Sequence, residues 1–487
     1  MLSRYFGVFA CLFLLLVATS HSVQAFSGAG AGTGGNPYQI RTCDQLMEMA
    51  NSLSSSYVLS TDIDCSGTSE SPIGDDATPF TGSLNGQNFR IINFVYSTAS
   101  TGQDVGLFGR TNGATISNVR MDGGSLSAPN GANNGVGSIV GTTDSGTTAV
   151  TTITHVSSTM TITGSSTGGG LIGGAFSPFV ISKSSYSGSI TGNDGYAGGL
   201  VGWILTSAGS NTVSDSYSQG TLTSAGSSYV GGIIGYMNSR TTIARSYAAH
   251  TVTMTGSTSY AGGIAGYMDG TVTDSFAASS LSGSATYKGA LFGYVTTANN
   301  VRNVYFDNTI AALACSGNGS GTCSAISNLP NYFKNNTTNP PLNSWNFVDL
   351  WYTSSGSYPL LYGFTVFVGP AGSENHSSLA VSTTEAPHCS DARPDSAPDL
   401  FQVDGKSASA VLHFAPPAGS VSSYFISYGL SPGAEQYGVE WSQSKPDGAI
   451  TFPINALSPQ TTYYFRVRGG NGCMPGEWSQ EHSVTTL

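Results

Sequence analysis

A glycine-framed apolar pentad sets the period of this chain. It recurs as VGLFG (105–109), GSIVG (137–141), GGLIG (169–173), GGLVG (198–202), GGIIG (231–235), GGIAG (262–266) and GALFG (289–293), with 27 to 33 residues between successive final glycines. Two further alternations of apolar and polar positions follow each pentad. The first centres on Ile116, Ile153, Ile181, Val213, Ile243, Val272 and Val301, each two residues before Asn118, His155, Lys183, Asp215, Arg245, Asp274 or Asn303. The second reads Ser125-Leu126-Ser127, Thr161-Ile162-Thr163, Ser189-Ile190-Thr191, Thr221-Leu222-Thr223, Thr251-Val252-Thr253, Ser280-Leu281-Ser282 and, more weakly, Thr309-Ile310-Ala311. Three short strand-like segments per repeat, each with one inward apolar residue, predict a coil with three faces. One coil cannot bury its own apolar face. Stacked at the ~4.8 Å strand spacing, the coils form an all-β fold, a right-handed parallel β-helix (solenoid) about 34 Å long. Leu126, Ile162, Ile190, Leu222, Val252 and Leu281 form one inward column. A propeller would instead need four strands in ~40–45 residues.

The flanks follow other patterns. Thr42 and Gln45 have capping-box spacing, and Leu46, Met49, Ala50 and Leu53 lie at i, i+3, i+4 and i+7. This predicts a short amphipathic N-terminal capping helix over 42–53 that plugs the solenoid and hides unpaired strand edges. Residues 364–388 are Gly/Ser/Thr-rich and aperiodic, as a linker would be. Beyond them, 410–414, 424–428 and 464–468 read as strands of a separate domain, 389–487. At the other end, Arg4, an apolar run from Tyr5 to about Ala18 and the small-residue site Val23-Gln24-Ala25 predict a secretory signal peptide, 1–25, with the mature chain starting at Phe26.

Composition narrows the chemistry. Charged residues make up 9% of the chain, against about 25% in an ordinary soluble domain. A net charge of −11 without any Lys/Arg run excludes nucleic acid as an expected partner. The leader's apolar run is short of the ~20 residues a spanning helix needs, so no membrane insertion is expected. Six cysteines remain after the leader, Cys43, Cys65, Cys315, Cys323, Cys389 and Cys473, none in CxxC spacing. In an exported chain this favours disulfides over metal. Their grouping makes Cys43–Cys65, Cys315–Cys323 and Cys389–Cys473 the simplest pairing, although sequence leaves the others open. Asn318, Asn335, Asn336 and Asn375 open glycosylation sequons.

The pentads resemble the GLUG repeat of bacterial and protist surface proteins and adhesin-like chains. The resemblance spans roughly residues 36 to 363 and implies architecture more than activity. It also implies that an exit segment, Trp345-Asn346-Phe347 through Trp351 to Tyr358-Pro359-Leu360, closes the helix. Leu457-x-Pro459-x-Thr461-x-Tyr463-x-Phe465-x-Val467 resembles strand E and the tyrosine corner of a fibronectin type III β-sandwich, and Trp478-Ser479 the start of its last strand. The usual strand-B tryptophan is absent, with His413 and Phe414 near its place. The expected organisation is a signal peptide (1–25), a capped GLUG-type β-helix (26–363), a linker (364–388) and a fibronectin type III-like domain (389–487).

Three columns bear on function. Lys183, Asp215, Arg245 and Asp274 alternate in sign on successive coils. Asp215 and Asp274, two coils or ~9.6 Å apart, fall near the upper end of the ~6.5–9.5 Å separation of inverting glycosidase carboxylates. Flanking cations oppose the raised pKa that a general acid needs. With no Ser/His/Asp set, HExxH motif or phosphate loop beside it, the column reads as a charge-paired ladder, and no catalytic, metal or cofactor residue is assigned. Tyr196, Tyr229, Tyr260 and Tyr287 precede pentads, while Trp203, Tyr236, Tyr267 and Tyr294 follow them. Rows of aromatics at strand spacing make platforms for sugar rings or stack for their own stability, and strand parity leaves their direction open. The Ser/Thr-x-Ser/Thr face resembles that of β-solenoid ice-binding proteins, although Thr is favoured on any strand surface. The combination reads as a secreted adhesion or matrix protein with extracellular glycan or protein partners, Trp203, Tyr236, Tyr267 and Tyr294 being the candidate contacts. The alternatives are a polysaccharide-active β-helix enzyme, a lyase or glycoside hydrolase, and an ice-binding or structural surface. The oligomeric state stays open.

Overall fold

The computed structural model describes residues 26–362 and 394–487, apart from short interior stretches at 69, 130–134, 227–228, 256–257, 297–299, 311, 321–322, 327–328, 330, 348–349, 354–355, 434–436, 443–447, 456 and 472–473. The signal peptide, the linker and the Cys389–Cys473 pair lie outside the described residues. The chain divides into two compact units, with the division at Gly369–Pro370.

The first unit is a parallel β-solenoid of about eight turns. Its strands pair in register with their copies one coil away: Leu126 faces Ile162, Ile162 faces Ile190, Ile190 faces Leu222, and Leu222 faces Val252. These five side chains are at most 1% exposed, whereas Leu281, at the end of the column, is half-buried. The weak seventh copy adds no strand: Thr309 and Ile310 lie in a turn, and Ile310 is 39% exposed.

The complete coils carry four or five strand segments rather than the three expected. The pentad explains one extra break. Leu200 and Val201, like Ile233 and Ile234, are consecutive and both wholly buried. A straight strand sends consecutive side chains to opposite faces, so the pentad must be a corner. A Cβ at Gly199 would overlap the carbonyl oxygen of Gly232 on the next coil, and one at Gly231 the carbonyl oxygen of Ile234. The glycine frame is therefore a steric requirement of close backbone approach. The strands after this corner, from Phe108–Thr111 to Phe292–Val295, form their own seven-stranded parallel sheet.

The second break is the polar column. Asn118, His155, Lys183, Asp215, Arg245, Asp274 and Asn303 all adopt left-handed backbone conformation, with φ between 46° and 56°. Their side chains differ, but each turns the chain at the same point of its coil. Beside the turns at Lys183, Asp215, Arg245 and Asp274 runs a buried serine ladder: Ser184 N–H donates to Ser216 Oγ, Ser216 N–H to Ser246 Oγ, and Ser246 N–H to Ser275 Oγ, at 3.1 to 3.2 Å. Each of these hydroxyls donates in turn to the carbonyl two residues earlier. The ladder satisfies backbone groups that the turn removes from the strand pattern. A β-branched residue is strained in this conformation. Lys183→Val is expected to lower unfolding free energy by about 1–2 kcal/mol in denaturant titration, and Lys183→Asn to leave it unchanged.

Both ends are pinned. At the start, Thr42 Oγ1 accepts from Gln45 N–H, and Arg41 N–H donates to Gln45 Oε1. The helix is shorter than expected, Cys43–Met47 followed by a 3-10 turn Glu48–Asn51. Because the 3-10 turn rotates the following residues, Leu46 and Met49 are buried but Ala50 is exposed and Leu53 half-buried. Cys43–Cys65 staples this end, and Cys315–Cys323 closes a loop whose carbonyls cap the last pentad: Ala290 N–H donates to Ala314 and Leu291 N–H to Cys315.

The exit segment lies along a flank. Tyr217, Tyr247 and Phe276 stack outward on successive coils, with ring centroids 5.0 and 4.9 Å apart, and Phe333, Leu342, Trp345, Trp351 and Leu361 cover them. Tyr247 Oη donates to Pro359 O, Trp345 Nε1 to Asp274 O, and His155 Nε2 to Tyr362 O. This strap thus reaches from the last coils back to the level of His155.

His250 pairs in register with Gly220 and is wholly enclosed. Burial pulls its pKa down to about 4, against the opposing pull of the Gly220 and Gly232 backbone. The unfolded chain takes up this proton below ~6.5, the folded chain only near 4. Stability is therefore expected to fall as pH drops through this window, by on the order of 3 kcal/mol, and to level off from this source below it. His155, also depressed by burial, acts in the same direction. Unfolding titrations between about pH 7 and 4 measure the slope, which should shrink in His250→Leu.

The second unit is a two-sheet antiparallel sandwich. One sheet is formed by Asp399–Lys406, Ser409–Ala415 and Ile450–Asn455, the other by Ser423–Gly429, Tyr437–Ser442, Thr462–Asn471, Met474–Trp478 and His482–Thr485. Tyr463 Oη accepts from Ser458 N–H at 3.1 Å, the expected tyrosine corner. The outward Arg466 and Arg468 lie over Trp478 at 5.3 and 4.7 Å.

Candidate binding surface

The structure settles the direction of the two aromatic columns and brings them side by side. Tyr196, Tyr229, Tyr260 and Tyr287 align in register just before the pentad corner, and Trp203, Tyr236, Tyr267 and Tyr294 just after it. All eight side chains point outward and are half-buried. Within the first column, centroids are 4.8 to 5.4 Å apart and planes lie within 8° of parallel. Tyr236, Tyr267 and Tyr294 repeat this at 4.9 and 5.6 Å. Between columns the planes are nearly perpendicular, as for Tyr229–Tyr236 at 5.4 Å and 88° and Tyr287–Tyr294 at 5.2 Å and 84°. Both arrangements suit the ring quadrupole. Trp203 differs, lying parallel on Tyr196 at 4.8 Å with Phe176 against its edge.

The plate begins at Trp203 because the preceding coil places Thr167 and Gly174 in the two columns. Beside it opens a groove of about 590 Å³, lined by Phe176, Leu205, Tyr236, Asn238, Arg240 and Asp269 among others. Leu205 is 49% exposed. Burial raises the phenol pKa of Tyr196, Tyr229, Tyr236 and Tyr267, and the nearby Asp269 carboxylate adds to this at Tyr236 and Tyr267. None of the seven plate tyrosines uses its hydroxyl in a hydrogen bond among the described residues. The surface therefore offers ring carbons and hydroxyls that are free among the described residues.

The polar column is built differently. Arg245 grips both oxygens of Asp215, Nε to Oδ1 at 2.7 Å and Nη2 to Oδ2 at 2.6 Å. Asn303 donates to Asp274 Oδ1, and Asn118 Oδ1 lies 2.8 Å from His155 Nδ1. These side chains tie one coil to the next. Of the sequons, Asn335 is exposed, whereas Asn318 is half-buried with both amide atoms on the Val295 backbone. Asn336 Oδ1 accepts from Thr338 and Asn339 N–H, and Asn375 lies outside the described residues. Sequence reasoning missed the covered ladder, although a signal existed: Ser216-Tyr217, Ser246-Tyr247 and Ser275-Phe276 each follow the turn residue directly. It also missed buried Asp104, which accepts from Arg110 at 2.6 Å and from Thr142 Oγ1 at 2.6 Å on the earlier coils.

The molecule is thus an all-β chain with a parallel β-solenoid and a C-terminal fibronectin type III domain; residues 396–485 match the family described as Fibronectin type III domain. A provisionally named Gly-rich membrane protein of Evansella cellulosilytica is 36% identical over 118 residues, 22% of this chain and 13% of that protein's length. Among solved structures, a provisionally named immunoglobulin A1 protease from Bacteroides ovatus aligns with TM-score 0.45 and 21% identity, covering 69% of this chain and 94% of its own. The sixth fibronectin type III domain of human fibronectin type III domain containing protein 3 aligns at 27% identity and TM-score 0.16, covering 20% of this chain and 87% of its own.

Proposed function

We propose that this chain is a secreted adhesion or matrix protein and that the eight-ring plate on its GLUG-type solenoid is the surface that binds extracellular glycan or protein. The carrying observation is the outward direction of both columns in one continuous patch. A ring held by its neighbours loses little freedom on binding, which lowers the entropic cost of association. The Cys43–Cys65 and Cys315–Cys323 disulfides and the fibronectin type III domain are consistent with an extracellular location. Among the described residues no helix is long and apolar enough to cross a membrane. Asn335 and Asn336 are the sequons best placed for glycosylation.

The test is adhesion of the full chain to matrix-coated surfaces. Tyr236→Ala is expected to weaken it about two- to tenfold. Raising salt to about 0.5 M, where the Debye length is only a few Å, should change it little because no plate residue is charged. Unaltered adhesion in Tyr236→Ala and in Trp203→Ala, with loss on changing Trp478 or Phe425, would move the function to the sandwich.

A further inference from the structure

From the plate's repeat, shape and charge we infer that its ligand is a neutral, flat, β-1,4-linked glycan lying along the solenoid axis, one sugar per coil. The inference deepens the reading above and rests on it. Rings in one column are parallel, yet their centroids stand 4.8 to 5.6 Å apart. Carbon atoms in contact need only ~3.5–4.0 Å, so this wider spacing leaves the outer part of each half-buried ring, with its hydroxyl, open to solvent. An extended chain of equatorially linked pyranoses advances by about one coil spacing per sugar. Each sugar then sets its apolar C–H groups against the exposed part of one ring and its hydroxyls against the phenols, and the next sugar meets a ring at the same spacing on the next coil.

Size and charge select this ligand over others. The plate is two side chains wide and four coils long, roughly 19 Å by the strand spacing. That is far less than the ~800 Å² per partner of a standard protein interface, but it matches a tetrasaccharide. The eight plate positions carry no charge, and the groove at Tyr236 holds one cation and one anion, Arg240 and Asp269. Arg240 is exposed, and its guanidinium makes no hydrogen bond or ion pair among the described residues. A guanidinium that only donates, in one groove with a carboxylate whose Oδ1 accepts from Thr296 Oγ1 and whose other oxygen stays open among the described residues, reads the two capacities of neighbouring hydroxyls. Phe176 and Leu205 supply the groove's apolar wall. An acidic glycan would meet Asp269 and a net charge of −11.

The experiment is calorimetric titration of the full chain with cello-, xylo- and manno-oligosaccharides of increasing length, and with malto-oligosaccharides, whose α-linkage curls the chain off the axis. Affinity for at least one β-1,4 series should rise about two- to tenfold per sugar, level off near four sugars, and exceed that for the malto series. Tyr267→Ala should cost about tenfold for the tetrasaccharide, and Asp269→Asn should weaken binding without changing the length at which it levels off. Equal binding of malto and β-1,4 chains, or gains that continue past the plate's length, overturns the register. No binding by any series, with Tyr236→Ala still weakening adhesion, overturns the glycan and leaves the plate as a protein contact. If plate substitutions also leave adhesion untouched, both readings fall.

Discussion

Leu222→Asp is expected to abolish folding and secretion, while Thr221→Asp, one residue away, is tolerated. Leu222 is wholly buried and in register between Ile190 and Val252; Thr221 is exposed. Adjacent strand residues point to opposite faces, so the first change puts a carboxylate into the stack and the second puts one into water. A buried unpaired carboxylate costs several kcal/mol on top of the lost leucine packing, which together consume most of the about 5–15 kcal/mol a domain has in reserve. Secreted yield and the unfolding midpoint separate the two variants. Equal behaviour of the two would mean that the column is not inward.

The second large effect belongs to the strap. Trp351 is fully buried against Trp345 at 4.6 Å and against Tyr217 and Tyr247 at 6.2 Å. Trp351→Ala removes the largest side chain of this cover and should cost about 3–5 kcal/mol. The loss should be local: hydrogen exchange is expected to quicken over 333–361 and leave the strands Asn211–Ser214 and Thr241–Ala244 protected. Among the described residues the Trp351 Nε1 atom has no hydrogen-bond partner, so Trp351→Phe, which loses no such bond, should cost clearly less. Exchange that quickens through the whole solenoid would show that the strap and the coils unfold as one.

These contrasts explain what could be read from the sequence. Burial of one residue in two at strand spacing marks a solenoid wall directly, so Leu126 to Val252 could be assigned inward before any coordinates. The outward Tyr column repeats at the same period, but a residue beside a corner can point either way, and the corner depends on Gly199 and Gly232 approaching each other between coils. The turn column carries five residue types at seven positions on one backbone conformation, which suggested an alternating charge row where the common property is φ. The exit segment was legible as a closing element, but its place along the flank over Tyr217, Tyr247 and Phe276 was hidden for another reason. Its apolar residues have no period, and what they cover is set by contacts more than 100 residues away in the chain, as with Tyr247 and Pro359. At the N-terminus, apolar spacing called for a regular α-helix, but the chain tightens into a 3-10 turn that leaves Ala50 outside.

The most direct test of the plate as the contact surface is oxidative footprinting of the full chain, free and adsorbed to beads coated with matrix polysaccharide or matrix protein. Trp203, Tyr229, Tyr236, Tyr267 and Tyr294 should lose reactivity on adsorption, while Phe425 and Trp478 of the sandwich stay unchanged. Protection confined to the sandwich aromatics, with the plate as reactive as in the free chain, would contradict the account.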